Sequence, residues 1–478
     1  MISNPYTSQD WIAVAPLFIV GGVALVVLLA DLLARKYANR YVSMFIGIAG
    51  LIAAGVYAAY SYGQPPHNAF GGGFILGGFS IVFEEIIIIA AIFSLVLYSG
   101  IGREDRVAGS TALMLWSTAG AMLMAGAANL MTIFLGLELL SLGLYCLCGL
   151  ADRPTAREAA LKYLILSSTA SGFLLFGMAM LFGATGSVTL ASLVAPGVGA
   201  NPLYWMGGGL FLVGLAFKLS LFPFHVWSPD VYEGAPLPVT AYMSVVTKAA
   251  TLAVFARFAY AALPPASTHA LLMPFYIIAG ISMIAGNLGM LAQTDMKRLL
   301  AYSGIAQIGY VVAALAGGTQ QGVRYAIYYL VAYKFMNLGA FAVVALLSTD
   351  KEEGSRISSF HGLAHRHPVL AAAMTFFLLA LAGFPPTAGF LGKILILSVN
   401  VSAGYAWLAG LLIAGTAISV YAYFKVIRLM YDRHAPRAQE VVASRAPLAY
   451  VSVAICLVFI VVMTFYPYTP SNVLPMVK

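Results

Sequence analysis

The stretch FKLSLFPFHVWSPD (residues 217–230) places a lysine and then a proline inside a long apolar segment. Further along, LALAGFPPTAGFLGKILIL (residues 379–397) has two prolines followed by a lysine. Proline removes a backbone hydrogen bond and clashes with the preceding helical turn, so each stretch predicts a broken helix. Inside a bilayer, freed backbone groups persist only where protein or a water-filled cavity satisfies them. Such paired breaks often mark the site of a transporter; the alternative is a pair of simple kinks.

The composition around these stretches is that of an integral membrane protein. The 478 residues are 61% hydrophobic and 9% charged, whereas soluble domains carry about 25% charged residues. The formal net charge of +8 does not indicate nucleic-acid binding, because the basic residues lie in short loops. Since a spanning helix needs about 20 apolar residues, the sequence predicts 14 spans, centred near residues 21, 52, 89, 117, 138, 169, 214, 249, 281, 306, 335, 383, 416 and 457.

The loop charges support an even number of spans. Alternate loops hold nearly every loop Lys and Arg, while the opposite loops hold none apart from Lys478; Arg257 and Arg324 lie at span ends. The positive-inside rule then predicts a cytoplasmic side for the basic loops and a periplasmic side for both termini. The basic residues of the predicted cytoplasmic loops are Arg35, Lys36, Arg40, Arg103, Arg106, Arg153, Arg157, Lys297, Arg298, Lys351, Arg356, Arg366, Arg428, Arg433, Arg437 and Arg445.

Five lysines and one acid lie inside the predicted spans. An unpaired charge at the bilayer centre costs about 2.5–3.5 kcal/mol on insertion scales. These side chains must therefore be hydrated, paired or neutral, and such residues predict a functional site. The six residues are Glu138, Lys162, Lys218, Lys248, Lys334 and Lys393.

The arrangement of these charges is typical of a proton relay. A lysine in a dry pocket loses its proton, whereas a lysine beside a carboxylate such as Glu138 keeps it. Lys218 lies in the middle of its span, and His225, seven residues on, is expected two turns along the same helix face. Histidine titrates near neutrality and suits proton uptake. Lys162 lies closer to the cytoplasmic side and could alternatively extend its long side chain to the interface.

Other charged groups and motifs give weaker signals. Glu84 and Glu85 are adjacent, so they cannot share a helix face, and one could face an interface or a partner chain. The glycine-rich GGGFILGG (residues 71–78) lacks the strand–helix context of a nucleotide site. No cysteine spacing fits an iron–sulfur cluster. The sequence therefore predicts no cofactor or metal site in this chain, and redox chemistry would have to take place elsewhere.

Three motifs resemble one known family. They are SLFPFHVWSPDVYEGAP (residues 220–236), TDMKRLLAYSGIAQIGY (residues 294–310) and AGFPPTAGFLGK (residues 382–393). All three resemble the antiporter-like membrane subunits of respiratory complex I, the proton-pumping NADH:quinone oxidoreductase. The YEGAP ending is similar to the subunit N branch, the bacterial counterpart of mitochondrial subunit 2. The resemblance covers essentially the whole chain.

The resemblance implies an all-α fold of 14 helices with two inverted five-helix repeats, spans 4–8 and 9–13, in which helices 7 and 12 are broken. It implies one transmembrane domain over 1–478, with peripheral helices in 1–107, the first repeat in 108–262, the second in 271–430 and the last helix in 447–467.

The resemblance also implies roles for individual residues. Glu138 matches the acid that pairs with the seventh-helix lysine, Lys218. Lys248 matches the eighth-helix lysine of a central polar axis, and Lys393 the terminal lysine of the twelfth helix. Lys162 and His225 match positions linked to proton uptake and relay. Relatives often have His where this chain has Gln307; because glutamine does not carry a proton, Lys334 is a candidate to replace it.

Together these features predict a proton-translocating membrane subunit of an NADH:quinone oxidoreductase in the bacterial inner membrane. FMN, iron–sulfur clusters and quinone would then belong to partner subunits, with the redox arm on the cytoplasmic side. Two other functions stay open: an Mrp-type sodium/proton antiporter subunit, which shares the fold, and a structural scaffold of a membrane complex.

Overall fold

The computed structural model describes residues 7–33, 40–98, 107–194, 197–261, 265–348, 354–433 and 446–467. These residues form 18 α-helices and one two-stranded antiparallel hairpin, β1 (His67–Ala69) and β2 (Phe74–Leu76). In chain order the helices are α1 (Ser8–Ala13), α2 (Ala15–Leu33), α3 (Arg40–Tyr60), α4 (Gly78–Leu97), α5 (Val107–Gly126), α6 (Leu130–Gly149), α7 (Pro154–Thr185), α8 (Pro202–Leu219), α9 (Trp227–Gly234), α10 (Leu237–Ala261), α11 (Pro265–Leu291), α12 (Met296–Ala314), α13 (Gln320–Leu346), α14 (Leu363–Arg366), α15 (Pro368–Ala382), α16 (Ala388–Ser402), α17 (Ala406–Met430) and α18 (Pro447–Phe465).

Twelve of the described helices are long and apolar enough to cross a membrane, by length and composition. The two remaining predicted spans correspond to α12, which has Lys297 and Arg298 in its first turn, and to the pair α15 and α16, of 15 residues each. The total of 14 spans and the division into inverted repeats stay predictions. Helices α10 and α13 lie at the centre of the bundle, where 100% and 94% of the residues in their apolar stretches are buried. Helices α2 and α18 lie on the outside, where 22% and 28% of the corresponding residues are buried.

Both predicted breaks are present. Helix α8 ends at Leu219, and Ser220 adopts a left-handed conformation with φ 57° before α9 begins. Helix α15 ends at Ala382, Gly383 has φ 79°, and Thr387 caps α16 by accepting a hydrogen bond from the Phe390 N–H. The expectation that Lys218 and His225 share a helix face is wrong, because the helix stops between them.

The connections fall into two groups at opposite ends of the bundle. At one end, the hairpin and the α5–α6 and α7–α8 connections join through the bridges Phe74–Ala127 and Asn129–Thr189. At the other end, the Ile357 N–H donates to Thr294 O at 2.8 Å and the Gly362 N–H to Leu429 O at 3.0 Å. The grouping matches the predicted alternation of loops along the chain. Several of the predicted basic positions, such as Lys36 and Arg103, lie outside the described residues.

Small residues allow close packing of consecutive helices. A Cβ on Gly177 of α7 would lie 2.6 Å from the Phe211 backbone N, and one on Gly207 of α8 would lie 2.8 Å from Gly177 O. Without a hydrophobic force between helices in lipid, such backbone approach is a principal source of packing energy. The glycines thereby fix how α7 lies against α8, the helix that carries Lys218.

Candidate functional site

Lys218 lies at the first break, in the last turn of α8, and is 2% exposed. Its ammonium Nζ donates to Ser141 Oγ of α6 and to Ser167 Oγ of α7, both at 2.6 Å. The Tyr145 hydroxyl also donates to Ser167 Oγ, at 2.7 Å. Hydrogen bonds to a charged donor are among the stronger ones in proteins. Two serines from neighbouring helices thus hold this buried ammonium.

Glu138 lies three residues before Ser141, on the same face of α6. Its Oε1 is buried and has no hydrogen-bond partner. Among the described residues, no ion pair within 4.0 Å joins Glu138 to Lys218, whose Nζ instead contacts the two serines. The predicted acid–base pair is therefore open in this structure. Lys218 Nζ contacts Ser141 Oγ, which lies one turn of α6 after Glu138.

Lys248, in α10, stabilises the broken end of α8. Its Nζ donates to the carbonyl of Lys218 at 3.0 Å and to Ser220 Oγ at 2.5 Å, and it lies 5.1 Å from the centre of the Trp227 ring. The last carbonyls of a helix have no partner within it. Lys248 thus supplies the hydrogen bond that the break removes.

Lys393 plays the corresponding part at the second break. It is 4% exposed, and its Nζ donates to Leu381 O at 3.1 Å and to Ala382 O at 2.9 Å, the last carbonyls of α15. A Cβ on Gly383 would lie 2.9 Å from Lys393 Cδ, so the glycine leaves room for the lysine as well as permitting the positive φ. At both breaks, therefore, the Nζ of a buried lysine donates to freed carbonyls.

Gln307 of α12 also lies at the second break. Its Nε2 donates to Leu381 O at 3.0 Å, and its Oε1 accepts a hydrogen bond from the Tyr329 hydroxyl. Gln307 and Lys393 thus share one carbonyl. The amide is fixed by hydrogen bonds on both of its polar atoms.

Polar groups that sequence reasoning missed lie between the two breaks. Asn337 of α13 donates from Nδ2 to Ser244 Oγ at 2.6 Å, one turn of α10 before Lys248. The Tyr333 hydroxyl donates to Ser244 O at 3.5 Å. The available signal was an amide in the apolar run FMNLGAF (residues 335–341). These groups bring polar atoms of both halves of the bundle together at its centre.

Lys162 lies in an ion-pair network at the end of the bundle that holds the predicted cytoplasmic loops. Its side chain is 42% exposed, and Nζ contacts Glu158 at 2.8 Å and Asp230 at 3.0 Å. Arg298 of α12 also contacts Asp230, at 2.6 Å. Burial opposes ionisation of the Asp230 carboxyl, but the hydrogen bonds from Lys162 and Arg298 hold its pKa below the ordinary value. The network joins α9, just after the break, to α7 and α12.

The other two predicted site residues lie apart from the bonded lysines. His225 is half-buried in the segment between α8 and α9, where its Nδ1 is buried without a partner and its ring stacks on Phe222 at 5.4 Å. Lys334 is 1% exposed and lines a different cavity, together with Glu85 of α4. The structure does not bring Lys334 to Gln307.

Within the described part of the chain, no group of three or more His, Cys, Asp or Glu side chains could hold a metal ion. His361, which the sequence places in a histidine-containing loop, contacts Asp432 at 2.9 Å.

A many-helix membrane bundle with two broken helices, each stabilised by a buried lysine, defines an antiporter-like ion-translocating subunit. A family model described as "NADH:quinone oxidoreductase/Mrp antiporter, TM" matches residues 127–419, more than half of the chain. NADH-quinone oxidoreductase subunit N 1 of Symbiobacterium thermophilum is 42% identical over 441 residues, 89% of each chain, and subunit N of Trichlorobacter lovleyi is 40% identical over 87% of each. The chain belongs to the NADH-quinone oxidoreductase subunit N family.

Solved structures are similar over nearly the full length. A chain of respiratory complex I from Thermus thermophilus with bound aureothin matches with a TM-score of 0.82 and 32% identity, covering 97% of this chain and 99% of that one. A chain of the Mrp complex from Dietzia sp. matches with a TM-score of 0.81 at 19% identity, covering 96% and 95%; that likeness concerns the fold alone. The predicted family and its antiporter-like membrane fold are confirmed.

Proposed function

We propose that this chain is the proton-translocating subunit N of an NADH:quinone oxidoreductase in the bacterial inner membrane. Electrons pass from NADH to quinone in partner subunits, which hold FMN, iron–sulfur clusters and the quinone site. This chain is then part of a translocase without a redox centre of its own. Its relatives' shared name and its full-length match to a chain of complex I support this assignment.

The relay in this proposal runs from Glu138 and Lys218 through Lys248 to Lys393. The observation that carries it is the pair of breaks, where buried ammonium groups satisfy freed carbonyls. Such bonds persist only while both partners stay in place, so a shift of either broken helix changes the surroundings of its lysine. A conformational or electrostatic push from the redox arm would act through this link.

Closing the Glu138–Lys218 pair is the switching step of the proposal. With the pair open, the Nζ of Lys218 contacts Ser141 and Ser167. With the pair closed, the carboxylate stabilises the protonated lysine; when the carboxylate withdraws, the lysine can release its proton toward Lys248. Ser244 of α10 and Asn337 of α13 provide polar atoms between the two broken helices, along the proposed route from Lys248 to Lys393.

Proton uptake is assigned to the side of the predicted cytoplasmic loops, near His225 and Lys162. The exposure of Lys162 and the unpartnered Nδ1 of His225 support this assignment. The proposal leaves Lys334 outside the relay, because its side chain lines a separate cavity. Periplasmic termini and the boundaries of the two repeats are retained as part of the proposal.

The test is Lys218→Met and, separately, Glu138→Gln in the assembled enzyme. Each should lower both NADH:quinone turnover and protons pumped per electron, because each removes one partner of the switching pair. Lys425→Met is the matched control, since Lys425 is exposed at the bundle end, where it donates to Leu291 O at 3.1 Å. Wild-type turnover and pumping in both relay variants would refute the relay.

The rival functions give different results. An Mrp-type subunit would elute without an NADH-oxidising complex and would exchange sodium for protons in vesicles. A scaffold would lose assembly when the lysines are replaced, while complexes that do assemble would pump normally. Co-elution with NADH-oxidising activity therefore separates the proposed function from the antiporter.

A further inference from the structure

A cavity of about 570 Å³ lies between α3, α4, α13 and α18, away from both broken helices. Its walls are aliphatic and aromatic, and the Phe335 and Phe459 rings stack on one side with centres 4.5 Å apart at 8°. Tyr62 and Tyr466 line it at the end of the bundle, 41% and 76% exposed. Tyrosine is enriched where membrane meets water. The cavity therefore extends from an interfacial end into the apolar bundle.

Two charged side chains face this apolar space. Lys334 is 1% exposed, with Nζ 4.6 Å from the centre of the neighbouring Phe335 ring. Glu85 is half-buried, and its Oε1 is buried without a hydrogen-bond partner. Both line the cavity, but among the described residues no ion pair within 4.0 Å joins them. Because both side chains line one cavity, a group bound there can contact either of them.

The chemistry of the walls and of the two charges selects the occupant. Water can bridge the two polar side chains, but it leaves the surrounding apolar walls uncovered, since apolar cavities stay dry. An alkyl tail alone would leave the polar ends of both side chains without hydrogen-bond partners, which is costly in an apolar site. A charged head group would add a net charge to a pair that is balanced. A neutral head that both donates and accepts hydrogen bonds satisfies Glu85 and Lys334 together.

We propose that this cavity binds a neutral amphiphile of the membrane, a long-chain molecule with an uncharged hydroxyl-type head between Lys334 and Glu85. The chain lies along the apolar walls formed by α4, α13 and α18. The proposal does not depend on the proton relay, and binding is measured directly.

The probe is hexadecanol carrying a photoreactive diazirine in its chain, added to the assembled complex in vesicles. Peptide mapping after illumination should place the label on α4 and α13. Lys334→Met and Glu85→Gln should each lower this labelling about tenfold, as expected for one lost charged hydrogen bond. Val331→Trp should lower it similarly by filling the cavity. Val451→Trp on the exposed face of α18 is the matched control and should leave the labelling unchanged.

Diazirine hexadecanoic acid and diazirine hexadecylamine provide the charge comparison, and each should label α4 and α13 at least about tenfold less than the alcohol. Co-elution of each variant with its partner subunits shows that it has assembled. Equal labelling of wild type and the three cavity variants would overturn the proposal. So would labelling by either charged probe as strong as by the alcohol.

Discussion

The substitution Ser141→Ala tests the switching step with a small change. It removes one of the two hydroxyls that hold the Lys218 ammonium and leaves every titratable group in place. Ser141 Oγ itself donates to Leu137 O of its own helix. The expected effect is a shift of Lys218 away from its serine-bound position and toward Glu138.

The magnitude follows from the lost contact. A hydrogen bond to a charged group contributes about 1.5–3 kcal/mol, which corresponds to about a 10- to 150-fold change in an equilibrium. If the open pair is a required state of the cycle, turnover should fall by about tenfold or more. Protons per electron should stay near wild type in the enzyme that still turns over, because the relay groups are intact.

The assay is NADH:quinone turnover together with pH-gradient formation in proteoliposomes. Ser398→Ala is the matched control, because Ser398 is exposed on α16 and donates to Leu395 O of its own helix. A double-mutant cycle with Glu138→Gln should be strongly non-additive, because both residues act on the same lysine. Turnover of Ser141→Ala within twofold of the Ser398→Ala control, or an additive cycle, would refute the reasoning.

Three further outcomes are expected. Lys393→Met leaves the Ala382 carbonyl without its donor and leaves Leu381 O with Gln307 alone, so turnover should fall at least about tenfold. Lys425→Met should stay near wild type, and equal activities of the two variants would contradict this. The pKa of Asp230 is lowered in the folded protein, so the stability that its carboxylate contributes is fully present above the unfolded value of about 3.9 and is lost as the pH falls through the lower folded value. In thermal unfolding below about pH 4, Asp230→Asn should therefore lose less stability than wild type. Parallel curves of unfolding temperature against pH for the two proteins would argue against this. Gly177→Leu should lower the unfolding temperature by several degrees or prevent assembly, because the new side chain would clash with the α8 backbone. Gly172→Leu, on the same helix, is the control, because a side chain there enters open space. Similar stabilities of the two variants would exclude the tight α7–α8 contact.

The breaks were predictable because proline acts through local backbone chemistry. Pro223 and the Pro385–Pro386 pair each mark the place where a helix ends. The placement of Lys218 just before one break and of Lys393 just after the other followed from spacing alone. The assumption that His225 continued the face of Lys218 failed, because a face argument holds only within an unbroken helix.

The surroundings of the buried charges could not be predicted in the same way. Lys334 and Gln307 lie on neighbouring helices, yet Gln307 donates to the end of α15, whereas Lys334 lines a cavity together with Glu85 of α4. Glu85 and Lys334 are 249 positions apart along the chain. No local pattern reports a contact over that separation.

The sequence by itself determined that this is a polytopic membrane protein, where two of its helices break and to which family it belongs, because hydropathy, proline and short motifs act locally. Only the tertiary structure decided what each buried charge contacts. Lys218 donates hydrogen bonds to two serines, and Lys248 and Lys393 donate to freed carbonyls. The buried Oε1 of Glu138 has no hydrogen-bond partner among the described residues. The physical reason is that a buried lysine donates to the oxygen atoms that lie nearest to it in the packed bundle. Those oxygens belong to helices that are remote in the chain, so no local sequence pattern identifies them.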